Sequence, residues 1–256
     1  MRVTVCELQD SREGFSRDWA ALVRHVQDHA SELVLLPEMA FSPWFAWRRE
    51  FDPEIWRAAV QSHSDWQSRL PELAGTVVCG TAPVDDAGER RNRAFVFSSG
   101  SGYTESHDKY HLPDEEGFWE ATWYGRGNGG FIPHWTGGIG LGFLICTELW
   151  FFGHARTYGD LGVHLILCPR ATPRETRDKW LAGGRAASVV SGAFCLSSSP
   201  VSSAGEPANL GGQGWITDPE GDVLGVTSRN QPFLTLDIDT RLAEAAKHTY
   251  PRYVPE

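Results

Sequence analysis

Residues 139–148 read Ile139-Gly140-Leu141-Gly142-Phe143-Leu144-Ile145-Cys146-Thr147-Glu148. The run is apolar and strand-like, stops at the cysteine, and continues into polar Thr147-Glu148. A nucleophile suits that strand-end position. The other cysteines, Cys6, Cys79, Cys168 and Cys195, sit inside apolar strand-like runs (VTVCEL, TVVCG, LILCP and AFCLSS). A free thiol there packs as a small hydrophobe. No CxxC pair and no histidine at metal-ligand spacing accompanies any of the five, so a zinc site has little support.

Elements alternate on both sides of this run. Met1-Arg2-Val3-Thr4-Val5-Cys6-Glu7 alternates polar and apolar residues and reads as a first strand. Phe15, Trp19, Leu22, Val23 and Val26 recur at helical spacing, with Ser16 as the expected cap. Leu33-Val34-Leu35-Leu36, bounded by Pro37, predicts a short strand buried on both faces, and Glu38 follows its end. A helix is predicted over roughly 53–70, then adjacent strands at 76–80 and 93–97 around the turn Asp85-Asp86-Ala87-Gly88. Beyond Cys146, a helix around 154–161, a strand at 163–168, a helix around 176–190 and a strand at 193–197 follow in turn. The tail predicts a hairpin through Asp218-Pro219-Glu220-Gly221 and a last strand at 233–238. With no linker, low-complexity block or repeat, the pattern favours one α/β domain over residues 1–256. Pattern alone does not choose among α/β architectures.

Acidic residues outnumber basic ones by 33 to 23, and the formal charge is -10. No basic cluster exceeds the pairs Arg48-Arg49 and Arg90-Arg91, which argues against nucleic acid and anionic membrane as partners. No apolar run approaches the roughly 20 residues that cross a bilayer, and the first residues lack a signal-peptide core. A soluble, cytoplasmic protein is expected.

Attack on an amide or nitrile carbon needs a nucleophile, a group that removes and returns its proton, and a positive group where negative charge develops. Three segments each present one: Leu35-Leu36-Pro37-Glu38, His107-Asp108-Lys109-Tyr110-His111-Leu112-Pro113, and Leu144-Ile145-Cys146-Thr147-Glu148. Singly each is weak, because an isolated Glu or Lys after a strand is most often a solvated loop residue.

In this order and spacing the segments resemble the nitrilase superfamily of carbon-nitrogen hydrolases. The lysine segment is similar to its Lys-x-His-Leu-Pro pattern and the cysteine segment to its Gly-x-x-Ile-Cys-x-Asp/Glu pattern. Cys168-Pro169, Gly184-Arg185-Ala186, Gly211-Gly212-Gln213-Gly214-Trp215-Ile216 and Tyr250-Pro251-Arg252-Tyr253 extend the likeness over nearly the whole chain. The resemblance implies a four-layer αββα sandwich, pairing as a homodimer through helices near the cysteine, and a mechanism without metal or organic cofactor. It implies Glu38 as base, Cys146 as nucleophile, and Lys109 with the Thr147 backbone N–H as oxyanion stabilisers. Among Glu115, Glu116 and Glu120, the second glutamate of the family is assigned to Glu120, since Gly117-Phe118-Trp119-Glu120 precedes an aromatic pair and a glycine. Glu115 and Glu116 are expected to cap or face solvent.

The compact chain and Thr147-Glu148, where nitrile-hydrolysing members carry Trp-Glu, favour amide or carbamoyl hydrolysis over nitrile hydrolysis. The stretch from Pro113 to Glu120 looks like the corresponding part of N-carbamoylputrescine amidases. Trp44, Trp119, Thr147 and Glu148 are the candidate substrate contacts. Arg170, at a strand end beyond Cys168-Pro169, is expected at the pocket mouth, where its planar fork suits a carboxylate. Four alternatives stay open: a nitrile hydrolase using the same triad, a Cys-His hydrolase using His107 or His111, a catalytically silent binding or scaffolding member of the fold, and acyl transfer to an amine.

Overall fold

The structure, a computed structural model, describes residues 1–73, 75–202, 206 and 208–254. The first strand, β1 (Arg2–Gln9), leads into helix α1 (Arg12–His29) and strand β2 (Leu33–Leu35). Helix α2 (Pro53–Gln67) and strands β3 (Val77–Asp86), β4 (Glu89–Ser98) and β5 (Gly102–Asp108) follow. The short helix α3 (Glu120–Trp123), strands β6 (His134–Thr136) and β7 (Ile139–Phe143), and helix α4 (Phe152–Asp160) come next. Strand β8 (Leu165–Pro169), helix α5 (Arg177–Ser191), strands β9 (Phe194–Val201), β10 (Trp215–Thr217), β11 (Val223–Val226) and β12 (Phe233–Asp237), and helix α6 (Arg241–Ala246) complete the order.

The strands form two halves that share one seam. One half runs β5-β4-β3-β2-β1 with β12 on the far side of β1, and the other runs β6-β7-β8-β9 with β10 and β11 beyond. They join where Glu7 to Gln9 of β1 pairs in parallel with Ser199 to Val201 of β9. Side-chain alternation then sorts the layers. Val3, Val5, Leu33 and Leu35 face a core shared with Phe143, Leu165 and Leu167 of the other half. Cys6, Leu8, Val34 and Leu36 point the opposite way, onto Phe15, Trp19, Leu22 and Val26 of α1. Helix, sheet, sheet and helix therefore stack as the αββα sandwich that the sequence resemblance implied.

Local chemistry explains the element borders. Ser11, not Ser16, caps α1, accepting the Gly14 N–H at 3.2 Å, while the Ser16 hydroxyl donates to the Arg12 carbonyl within the helix. Asp52 caps α2 with Pro53 in its first turn. Gly184 lets α5 lie against Trp215, where a Cβ would stand 2.6 Å from the indole nitrogen. The hairpin β10–β11 and the strand β12 fall where the turn chemistry placed them. The edge strand β5 was not foreseen. It carries only one buried residue, His107, in the polar run Gly102 to Asp108.

Strand polarity positions the site. β2 runs parallel to β1 and β3, and two antiparallel steps through β4 return β5 to that direction. β7, β8 and β9 are parallel to one another and, through β9, to β1. Residues just beyond the carboxyl ends of β2, β5, β7 and β8 therefore converge at one edge, the place where open α/β sheets carry their ligands.

Candidate active site

Glu38 follows β2, Lys109 follows β5, Cys146 lies beyond β7 and Ala171 lies beyond β8. All four are buried. Lys109 Nζ donates to Glu38 Oε1 at 2.7 Å and to Glu120 Oε2 at 2.5 Å. Asn92 Nδ2 donates to the same Glu38 oxygen at 2.8 Å, and the Ala171 N–H donates to Glu38 Oε2 at 3.1 Å. The Cys146 thiol donates to the Ala171 carbonyl, Sγ to oxygen 3.7 Å. Glu120 also accepts the Tyr124 hydroxyl, while its Oε1 is buried with no partner among the described residues.

Two backbone residues next to this cluster are held in the left-handed region. Cys146 has φ +48° and Met39, directly after Glu38, has φ +46°. A non-glycine residue there costs on the order of 1–3 kcal/mol and persists only where its surroundings fix it. For Met39 the anchor is its N–H on Thr81 Oγ1 at 2.8 Å. For Cys146 it is Glu148, whose carboxylate accepts the Ile145 N–H at 2.8 Å, the Tyr110 N–H at 2.7 Å and the His107 ring Nε2 at 2.9 Å. The predicted strand up to Cys146 thus stops at Phe143, and the cysteine opens a short 3-10 helix, Cys146–Trp150.

Electrostatics follow from burial and this charge pattern. Burial pushes the Cys146 thiol well above its ordinary range, Glu38 adds to the effect and Lys109 opposes it. Burial works against the Lys109 ammonium, yet Glu120 and Glu38 more than compensate, and its affinity for the proton is raised. Burial pushes the Glu120 carboxyl up to about 7, against the pull of Lys109 and with the push of Glu38. The thiol therefore holds its proton more tightly than a free cysteine does, with the Lys109 ammonium as the group that opposes this.

One cavity of about 220 Å³ opens onto Cys146 and Glu120. Phe118, Trp150 and Trp180 give it apolar walls, and Thr147 and Thr172 add hydroxyls. A larger hollow of about 440 Å³, between α1 and α2, contains none of these residues. Among the described residues no group of three or more His, Cys, Asp or Glu side chains is arranged to hold a metal ion. No helix among them is long and apolar enough to cross a membrane.

Of the substrate contacts expected from sequence, Thr147 alone lines the cavity. Trp44 is buried, donates from Nε1 to the Gly117 carbonyl at 3.0 Å and packs on Phe45 and Phe118, supporting the wall from behind. Trp119 turns to the Arg49 guanidinium, 4.9 Å from its ring. Glu148 is buried on the backbone bonds described above. Arg170 is corrected as well. It is fully buried, stacked 4.3 Å from the Trp215 ring, and bonded to Ser197, Thr172 and the Gly212 and Gln213 carbonyls. Burial lowers its pKa to about 10. It ties β8 to the segment before β10 and does not line the cavity. Sequence reasoning missed Thr172, Thr176, Lys179 and Trp180, while Glu115, expected to face solvent, is exposed and also lines the cavity.

Known proteins resemble this chain in sequence and in fold. The family model described as carbon-nitrogen hydrolase matches residues 2–248. The chain is 26% identical over 235 residues to the omega-amidase NIT2 of Mus musculus, covering 88% of this chain and 83% of that one. It is 23% identical over 163 residues to the N-carbamoylputrescine amidase of Arabidopsis thaliana, covering 62% and 54% respectively. The crystal structure of a carbon-nitrogen hydrolase from Helicobacter pylori G27 superposes with a TM-score of 0.85 at 20% identity, covering 98% of this chain and 94% of that chain.

Proposed function

The chain belongs to the carbon-nitrogen hydrolase family, and from that premise we propose that it hydrolyses the C–N bond of a small amide or N-carbamoyl compound through a thioester on Cys146. The observation that carries this reading is the buried Glu38–Lys109–Glu120 ion-pair network, whose Glu120 lines one small cavity together with Cys146. The cavity volume of about 220 Å³ lies below the roughly 300–1,000 Å³ of drug-sized ligand sites, which favours a small molecule over a peptide.

In this mechanism Glu38 takes the thiol proton as Cys146 sulfur bonds to the substrate carbonyl carbon, and the carbonyl π electrons move onto oxygen. Lys109 and the Thr147 backbone N–H stabilise that oxyanion. When the oxygen lone pair reforms the double bond, the C–N bond breaks and the nitrogen leaves with the proton held by Glu38. A thioester remains. Glu38 then deprotonates water, which adds to the thioester carbon, and collapse breaks the C–S bond and returns the proton to sulfur. The unpartnered Glu120 Oε1 supports a role in orienting the attacking water beside Lys109. The likeness to an omega-amidase and an N-carbamoylputrescine amidase favours amide-type substrates. The homodimer that the sequence resemblance implies would cover apolar surface near the cysteine, where Phe151 is 42% exposed.

The test incubates the protein with amides, N-carbamoyl compounds and nitriles, measures released ammonia, and looks by mass spectrometry for an acyl group on Cys146. Ammonia release with an acyl-Cys146 adduct is the expected result. Turnover without a Cys146 adduct, undiminished in Cys146→Ala, would move the chemistry elsewhere.

A further inference from the structure

The mouth of the Cys146 cavity carries a charge pattern that the hydrolytic mechanism does not use. Cys146 and Glu120 form its buried end, and Glu115 and Lys179 line the same cavity from exposed positions. Glu115 comes from the segment between β5 and α3, and Lys179 from the first turn of α5. Neither takes part in an ion pair among the described residues, and they do not pair with each other. The third charged group of the lining, Glu120, is engaged by Lys109. One free anion and one free cation therefore stand at exposed positions on a pocket whose apolar lining is Phe118, Trp150 and Trp180.

Resting on the hydrolase reading above, we propose that the substrate is a zwitterion, a small α-amino acid whose side chain ends in a carboxamide. Its carboxylate meets Lys179, its ammonium meets Glu115, and its methylene chain crosses the apolar walls to put the amide carbon at Cys146. A substrate with a single charge would leave one of the two mouth residues either unsatisfied or repelling it. A net-neutral zwitterion also escapes the repulsion that a chain of formal charge -10 exerts on anions. Each charge contact acts on a part of the substrate remote from the reacting carbon, so it selects through kcat/KM without altering the chemical step.

The test compares ammonia release from two series of primary amides, built on L-asparagine and L-glutamine, each with its decarboxylated, deaminated and doubly stripped analogue. In one of the series the amino acid should lead. Loss of either charge should lower kcat/KM by roughly tenfold or more, as for a hydrogen bond to a charged group. Lys179→Met should reduce turnover of the carboxylate-bearing members and leave the decarboxylated and stripped ones unchanged, and Glu115→Gln should do the same for the ammonium-bearing members. Stripped amides hydrolysed as well as the amino acids, or variants that lower all members equally, would overturn the zwitterion and leave the hydrolase reading standing. Absence of ammonia from every member would overturn the zwitterion, and absence of ammonia and of an acyl-Cys146 adduct across the wider panel of amides, N-carbamoyl compounds and nitriles would overturn the hydrolase reading as well.

Discussion

Glu38 and Cys146 are held by the same backbone residue, since the N–H of Ala171 donates to Glu38 Oε2 at 3.1 Å and its carbonyl accepts the Cys146 thiol at 3.7 Å. The proposed base and nucleophile are thereby referenced to the carboxyl end of β8, although β2 and β7 deliver them from different halves of the sandwich. Rigid main-chain anchoring of this kind is what keeps reacting groups within the fraction of an ångström that proton transfer requires.

Lys109 is the only cation bonded to Glu38 or Glu120 among the described residues. Lys109→Met should lower kcat about 100- to 1000-fold, as for loss of an oxyanion donor. It should also destabilise the fold by about 3–5 kcal/mol, because two buried carboxylates lose their counter-charge. Denaturant melts and steady-state kinetics check both. Near-normal turnover would revive a histidine-based mechanism, tested next with His111→Ala.

The backbone at Cys146, with φ +48°, makes a separate prediction about stability. Cys146→Ala and Cys146→Gly should both lose ammonia release while keeping the fold. Glycine tolerates this conformation and alanine does not, so the glycine variant should be the more stable of the two by about 1 kcal/mol. Equal melting temperatures would show that the turn is not strained.

His107 and Glu148 supply a pH dependence. Burial opposes the His107 charge, but Glu148 outweighs it and the pKa is raised above 6.5. A group that binds its proton more tightly when folded stabilises the fold fully below its ordinary pKa, and that contribution is lost as pH rises through the raised value. Stability should therefore fall on the alkaline side of 6.5, and Glu148→Gln should both lower it and flatten this slope. A melting temperature of Glu148→Gln with the unchanged slope would remove His107 as the cause.

Much of this was legible in the chain, for reasons that also explain the failures. Cys146 and Glu38 stand out because each follows an apolar run at a strand end, whereas Lys109 follows the polar run of β5 and stands out through its likeness to the family's Lys-x-His-Leu-Pro pattern. Glu120 sits in a four-residue helix and needed the family likeness. β5 was invisible because an edge strand buried at one residue has no apolar alternation to read. Arg170 misled because a guanidinium at a strand end resembles a ligand contact in one dimension. Its four partners come from Thr172, β9 and the segment before β10, contacts that only the tertiary fold reveals. Lys179 and Trp180 carry the converse lesson, since a cavity wall made from one helical turn has no sequence signature distinct from a packed or solvated helix.

Arg170 accordingly has a structural prediction in place of a recognition one. Arg170→Met should cost about 2–4 kcal/mol through four unpaired acceptors, on the usual scale for buried polar groups left unsatisfied. Its effects on KM should be equal for acidic and neutral amides. Selective loss of acidic substrates would return it to the pocket.

Glu38→Gln separates chemistry from architecture. Three donors converge on the carboxylate, Lys109 Nζ and Asn92 Nδ2 on one oxygen and the Ala171 N–H on the other. A glutamine has one acceptor oxygen, so its NH₂ must face at least one of these donors, and some local loss of stability is unavoidable. The proton chemistry changes in two opposite directions. The variant has no carboxylate to receive the thiol proton, so amide hydrolysis should fall by at least about 100-fold, the scale of general-base catalysis. Yet Glu38 is one of the charges that holds the Cys146 thiol pKa up, so its removal should lower that pKa and leave Lys109 to favour the thiolate. Alkylation of Cys146 by iodoacetamide, which needs only the thiolate, should persist in Glu38→Gln and shift to lower pH while hydrolysis is lost. Loss of both reactions together would mark Glu38 as architectural, and retention of both would place the base on another residue.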